Sequence, residues 1–130
     1  MIGTLVVSHG NVAESLVSVT TRIIGPCHHV NHFCVGWEDD MEAARTALGQ
    51  RIQQIDHGHG VLLLTDMFGG TPTNISLTFH QPGKVEIITG VNLPMIMKAM
   101  TLPKGMAIRD AALQLRQQAQ KAIYIASELL

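Results

Sequence analysis

The sequence has little of what marks a specialised scaffold. Charged side chains make up 15% of its 130 residues, with 9 basic against 10 acidic. So balanced a chain has no field to draw in a polyanion, and nucleic acid is excluded as an expected partner. There are only two cysteines, Cys27 and Cys34, with six residues between them and no CxxC pair. In a chain this apolar they are expected as buried thiols in a reducing cytosol, not as a staple. Long apolar runs are missing too. The run at the amino terminus, Ile2 to Val7, has no basic residues before it and a polar stop after it, so neither a signal peptide nor a membrane span is expected. The protein is therefore expected in the cytoplasm, with no direct membrane insertion. There is no GxxxxGK[ST] loop, which argues against a nucleotide held in a P-loop as donor. Repeats, low-complexity tracts and linkers are also absent. What is present is 46% hydrophobic residues in a chain whose folding would remove roughly two-thirds of its unfolded surface from water. One domain, residues 1–130, is expected.

Apolar patterning gives the elements. Leu5 to Val7 read as a buried strand, and Asn11 then opens a helix as its N-cap, with Glu14 three residues on completing a capping box. Val12, Leu16, Val19 and Ile23 form that helix's apolar stripe, and Gly25-Pro26 ends it. His29 to Val35 suit an edge strand. A second helix, capped by Asp39 or Asp40, carries a stripe at Met41, Ala44, Leu48, Ile52 and Ile55. Val61 to Leu64 form the most continuous apolar run, as a central parallel strand covered on both faces requires. A helix from Pro72 follows, then a strand from Lys84 to Thr89, a short helix begun by Asn92-Leu93-Pro94, and a long one through Ile108, Ala112, Leu115 and Ala119. The end, AIYIAS, returns to a strand-like composition. Strand and helix alternate four times, so the expected fold is α/β: a doubly wound, mainly parallel four-stranded sheet with helices on both faces.

In such a sheet the ligand site lies beyond the carboxyl ends of the strands, where the winding direction reverses, which in a flavodoxin-like order is between the first and third strands. His9 ends the first and Asp66 the third, so the two polar terminators are expected to face one another. An imidazole with a carboxylate on one nitrogen is held in one tautomer and keeps the other nitrogen nucleophilic. The loop after Asp66 reads MFGGTPTN. Gly69 and Gly70 let backbone N–H groups approach closely, Thr71 can cap, and Pro72 suits the first helical position. Free N–H groups at a helix start bind phosphate. Nucleophile, orienter and anion cradle together suggest phosphoryl transfer through a phosphohistidine.

The combination of SHGN at 8–11, TDMFGGTPTN at 65–74 and GVNLPM at 90–95 resembles the IIA components of the mannose-type sugar phosphotransferase system of bacteria. The resemblance implies that His9 accepts phosphate from the phosphocarrier HPr and passes it to a histidine of a IIB component. It implies that Asp66 is the acid beside the active histidine and that Thr71 stands where the family places Ser or Thr near the phosphate. Phe68 holds the family's aromatic position before the two glycines. With the chain stopping at Leu130, IIB is expected as a separate polypeptide, with association to the membrane IIC and IID components possible. The resemblance also implies a homodimer in which the last strand crosses to the partner and pairs antiparallel with its sheet. In this chain Ile123, Tyr124 and Ile125 would supply that strand.

Plainer readings exist for each feature. His-Gly after a strand is by itself a turn with a satisfied histidine, Asp66 alone caps a loop, and GGTP is a common turn-to-helix signal. Met67 and Phe68, beside the site, are either partner-docking residues or loop packing. His57 and His59 flank glycines, and His28, His29 and His32 cluster near the edge strand, but spacing establishes no converging metal ligands; no metal and no cofactor is expected. Three functions compete with uptake of a sugar: the same chemistry used for regulation or for dihydroxyacetone phosphorylation, a small divalent-metal chelatase using His9 as ligand, and an interaction module without chemistry.

Overall fold

The apolar runs lie side by side in a computed structural model that describes residues 1–130. Strand β1 spans Gly3–His9, β2 Val30–Val35, β3 Val61–Thr65 and β4 Val85–Thr89, and the helices are α1 Val12–Ile24, α2 Met41–Ile55, α3 Gly70–Leu77, α4 Leu93–Met100 and α5 Ile108–Lys121. All strand pairings are parallel, in the order β2-β1-β3-β4. The chain winds outward from β1 to β2 and then crosses back over β1 to β3. The reversal therefore falls between β1 and β3, as expected. Register places the site: His9 pairs with Val35 and Val7 with Thr65, so β1 and β2 end level while β3 stops two residues short, and Asp66 follows it directly.

Alternation along the central strands sorts the core into two layers. Val6, Leu62, Leu64 and Ile88 face α1, α4 and α5, packing on Ala13, Val17, Ile96, Ala111 and Leu115. Leu5, Val7, Leu63 and Val85 face α2 and α3, packing on Ala44, Leu48, Ile52 and Ile75. All five residues of β3 are buried.

Three expectations need correction. Asn11 forms no capping box: its backbone (φ −91°, ψ 10°) is not extended and its side chain caps nothing. The buried Ser8 hydroxyl accepts from the Ala13 N–H at 2.6 Å instead, so the strand's last turn supplies the cap. The inward face of α1 is Ala13, Val17 and Thr20, while Val12, Val19 and Ile23 are 48%, 44% and 57% exposed. Two apolar stripes lie one residue apart on this helix, and close packing against the sheet selects the smaller side chains; Thr20 becomes compatible with burial by donating to the Leu16 carbonyl at 2.5 Å. Cys27 and Cys34 are free but only partly buried. Ile123–Ile125, the segment expected to pair with a partner's sheet, form no strand within the single chain, where they are exposed and lead into a 3-10 turn at Ala126–Leu129. Without a partner edge, β propensity alone does not order a strand.

Candidate functional site

Just beyond the end of β3, the Asp66 carboxylate grips His9, the last residue of β1, twice. Its Oδ2 accepts from the His9 backbone N–H at 2.9 Å and lies 2.7 Å from ring Nδ1. The other oxygen, Oδ1, accepts from the Met67 N–H at 3.0 Å. With a carboxylate at Nδ1, the neutral ring carries its proton there and Nε2 holds the lone pair. Burial would by itself raise the Asp66 carboxyl's pKa, but the His9 backbone and ring hydrogen bonds and the imidazole charge outweigh it and hold the group below the ordinary carboxylate range. The pair is largely covered, the two side chains being 24% and 16% exposed.

The glycine loop meets Nε2. A β-carbon on Gly70 would lie 2.8 Å from His9 Cε1 and 2.9 Å from Nε2, and the residue sits at φ +79°. Any larger residue at 70 would stand on the free nitrogen in a strained backbone. Helix α3 starts at Gly70, two residues before Pro72, and no side chain caps it. Its first-turn N–H groups are thus open to an anion. Thr71 is half-buried in that turn and does not cap it, contrary to expectation, because the helix begins before it. Thr73 braces the loop instead: its hydroxyl donates to the Met67 carbonyl at 2.5 Å and lies 2.8 Å from the Thr65 hydroxyl. Met67 and Phe68 project beside the site, 54% and 79% exposed.

Sequence reasoning missed Trp37. Its ring stacks on His9 with centroids 5.5 Å apart and planes 23° from parallel. The available signal was register: β2 runs beside β1, so the residue two beyond Val35 falls next to His9. The remaining histidines do not join the site. His29 lies by Cys27 Sγ and the Ala99 carbonyl, and no three His, Cys, Asp or Glu side chains converge anywhere in the chain.

A parallel 2-1-3-4 sheet presenting a carboxylate-held histidine and an uncapped, glycine-led helix at its switch point defines a doubly wound α/β protein. The chain belongs to the family of PTS system fructose IIA components, whose model matches residues 3–115. It is 26% identical over 131 residues to the PTS system fructose-specific EIIA component of Bacillus subtilis (strain 168), covering 100% of this chain and 90% of that protein. Over 99 residues it is 31% identical to the PTS system mannose-specific EIIAB component of Escherichia coli (strain K12), covering 72% of this chain and 29% of that longer protein. Among solved structures, a phosphotransferase system EIIA component from Streptococcus agalactiae superimposes with a TM-score of 0.88 at 25% identity, covering 98% and 99% of the two chains. The mannose/sorbose specific IIA subunit from Enterococcus faecalis gives 0.85 at 25% identity, covering 95% and 93%. The mannose-type IIA resemblance and the α/β fold read from the sequence are both borne out. No helix is long and apolar enough to cross a membrane.

Proposed function

We propose that the chain is a IIA domain that carries phosphate on His9 between HPr and a IIB component in the cytoplasm. The observation that carries this reading is the 2.7 Å contact between Nδ1 and Asp66, which leaves Nε2 as the nucleophile beside Gly70. The Nε2 lone pair attacks the phosphorus of the donor. The N–P bond forms as the donor's bond to phosphorus breaks, and the bonding electrons leave with the donor. The proton on Nδ1 stays in place, so the ring takes on positive charge that Asp66 offsets. First-turn N–H groups of Gly70 and Thr71, reached through the open geometry at Gly69, and the Thr71 hydroxyl receive the phosphoryl oxygens. Transfer to IIB reverses these steps and needs no cofactor. Met67 and Phe68, apolar and exposed beside the site, suit docking of the two partner proteins in turn.

The names of the related proteins, fructose, mannose and sorbose, favour sugar uptake with membrane IIC and IID components over regulation or dihydroxyacetone phosphorylation. A chelatase role has less support: Nδ1 of His9 is already occupied, and one imidazole with one carboxylate is a poor divalent-metal site. A homodimer sealed by the carboxyl-terminal segment accounts for two features: β4 is a sheet edge with no strand beyond it, bridged only at Val85 by Gln81, and a groove of about 500 Å³ beside it is lined by Ile87, Leu113, Arg116 and the chain's own Ile123.

The test is labelling with phosphoenolpyruvate, enzyme I and HPr. The wild-type protein should take up one acid-labile, alkali-stable phosphoryl group, and His9→Ala should take up none. Full labelling of His9→Ala would place the acceptor on another histidine and end this reading.

A further inference from the structure

The geometry points to Trp37 as a positioning residue for phosphoryl transfer, its indole fixing the plane of the His9 imidazole and shielding the positive charge that the ring acquires. This rests on the phosphocarrier reading of His9.

Three observations converge on it. First, Trp37 is 81% exposed, so core packing does not explain why the chain's single tryptophan stands at this position. Second, the backbone around it is built to hold it there. The turn after β2 is closed twice: the Gly36 N–H donates to Asp39 Oδ2 at 2.7 Å, and the Asp39 N–H donates to the Gly36 carbonyl at 3.2 Å. Gly10 faces the indole from β1's end, where a β-carbon would come within 3.2 Å of Trp37 Nε1. Third, the stack supplies a constraint that Asp66 does not. A hydrogen bond at Nδ1 fixes one ring atom but leaves the imidazole free to rock about the line to the carboxylate. A near-parallel indole at 5.5 Å removes that motion and keeps Nε2 turned toward Gly70.

The chemistry gives the stack a second use. When Nε2 takes a phosphoryl group while Nδ1 keeps its proton, the ring becomes cationic. A cation within about 6 Å of an indole face is attracted by the ring quadrupole, tryptophan being the strongest such partner. Trp37 therefore favours the phosphorylated ring over the free one and keeps bulk water from that face.

Phosphoramidate separates this role from protein docking, because it is a small donor that needs no docking surface. His9 Nε2 attacks its phosphorus, the P–N bond breaks and ammonia leaves. Labelling of the full-length protein should fall about five- to tenfold in Trp37→Ala, return to within about twofold of wild type in Trp37→Phe, and remain low in Trp37→Leu, which has apolar bulk without a π face. In the unphosphorylated protein, the His9 ring-proton resonances should shift downfield in Trp37→Ala as the indole ring current is lost. Equal or faster labelling of Trp37→Ala overturns the inference, as does rescue by Leu equal to that by Phe. Unchanged His9 resonances also overturn it, even if His9 still carries the phosphate. Undiminished labelling of His9→Ala would instead remove the phosphocarrier reading itself, and the inference with it.

Discussion

In the proposed transfer the His9–Asp66 pair concentrates most of the chemistry in two side chains, and its carboxylate would do two separable things. It would set the ring's tautomer, and it would balance the charge of the phosphorylated ring. Asp66→Asn should therefore fold normally yet transfer phosphate more slowly, by up to about 10⁴-fold, the loss that follows when a catalytic histidine's orienting carboxylate becomes an amide. Rapid-quench transfer rates in both directions check this, and unchanged rates would remove Asp66 from the mechanism. The same side chain makes a pH prediction. Its native pKa is held below the ordinary value, which is about 3.9 in an unfolded chain. The unfolded state thus binds the proton more readily, and the pair's contribution to stability is complete above about pH 4. It is lost as the pH falls through the lowered native value. Thermal melts from pH 6 down to pH 2 should show a smaller acid-induced drop in Tm for Asp66→Asn than for wild type; identical drops would mean that the carboxylate gains nothing from His9.

At the scale of elements, the junction from β1 to α1 offers a clean comparison. Ser8 accepts the Ala13 N–H from a buried position, whereas Asn11 stands at the nominal cap position with its side chain unused. Ser8→Ala should cost about 1–2 kcal/mol, and Asn11→Ala less than about 0.5 kcal/mol, both measured by urea unfolding; the reverse order would restore the capping box. This junction also shows what the sequence could reveal. Polar residues that end apolar strands stand out in a linear reading, which is why His9, Asp66 and the glycine loop were legible. The inward face of α2 from Ala44 to Ile55, though not Met41 at its exposed start, and the helix start at Asn92, which accepts from the Met95 N–H at 3.0 Å, were legible for the same reason: one pattern with no competitor. Helix α1 was not, because Val12–Leu16–Val19–Ile23 and Ala13–Val17–Thr20 are both plausible stripes and only the space above the sheet decides between them. Trp37 was not, because its neighbour is set by lateral strand pairing. Thr71 was misread as a cap because the glycines allow α3 to start before it.

For the whole molecule, the element that sets assembly is the exposed tail in the proposed dimer. Ile123, Tyr124 and Ile125 are 77%, 65% and 65% exposed, an apolar strand-forming segment next to an open sheet edge. Exchange between subunits would bury the segment and close the edge at low cost. The intact chain should be a dimer at micromolar concentration, and a chain lacking residues 121–130 should be monomeric or aggregated, as read by light scattering. A stable dimer of the truncated chain would place the interface elsewhere. Everything else in the fold serves to bring one histidine, tethered through Nδ1, to the mouth of a glycine-led helix with Nε2 free. The measurement that tests this most directly is nitrogen-15 and phosphorus-31 NMR of the protein phosphorylated through HPr. The expected result is a single phosphohistidine at His9 with phosphorus bonded to Nε2 and the proton retained on Nδ1; phosphorus on Nδ1, or on any other histidine, would contradict the account.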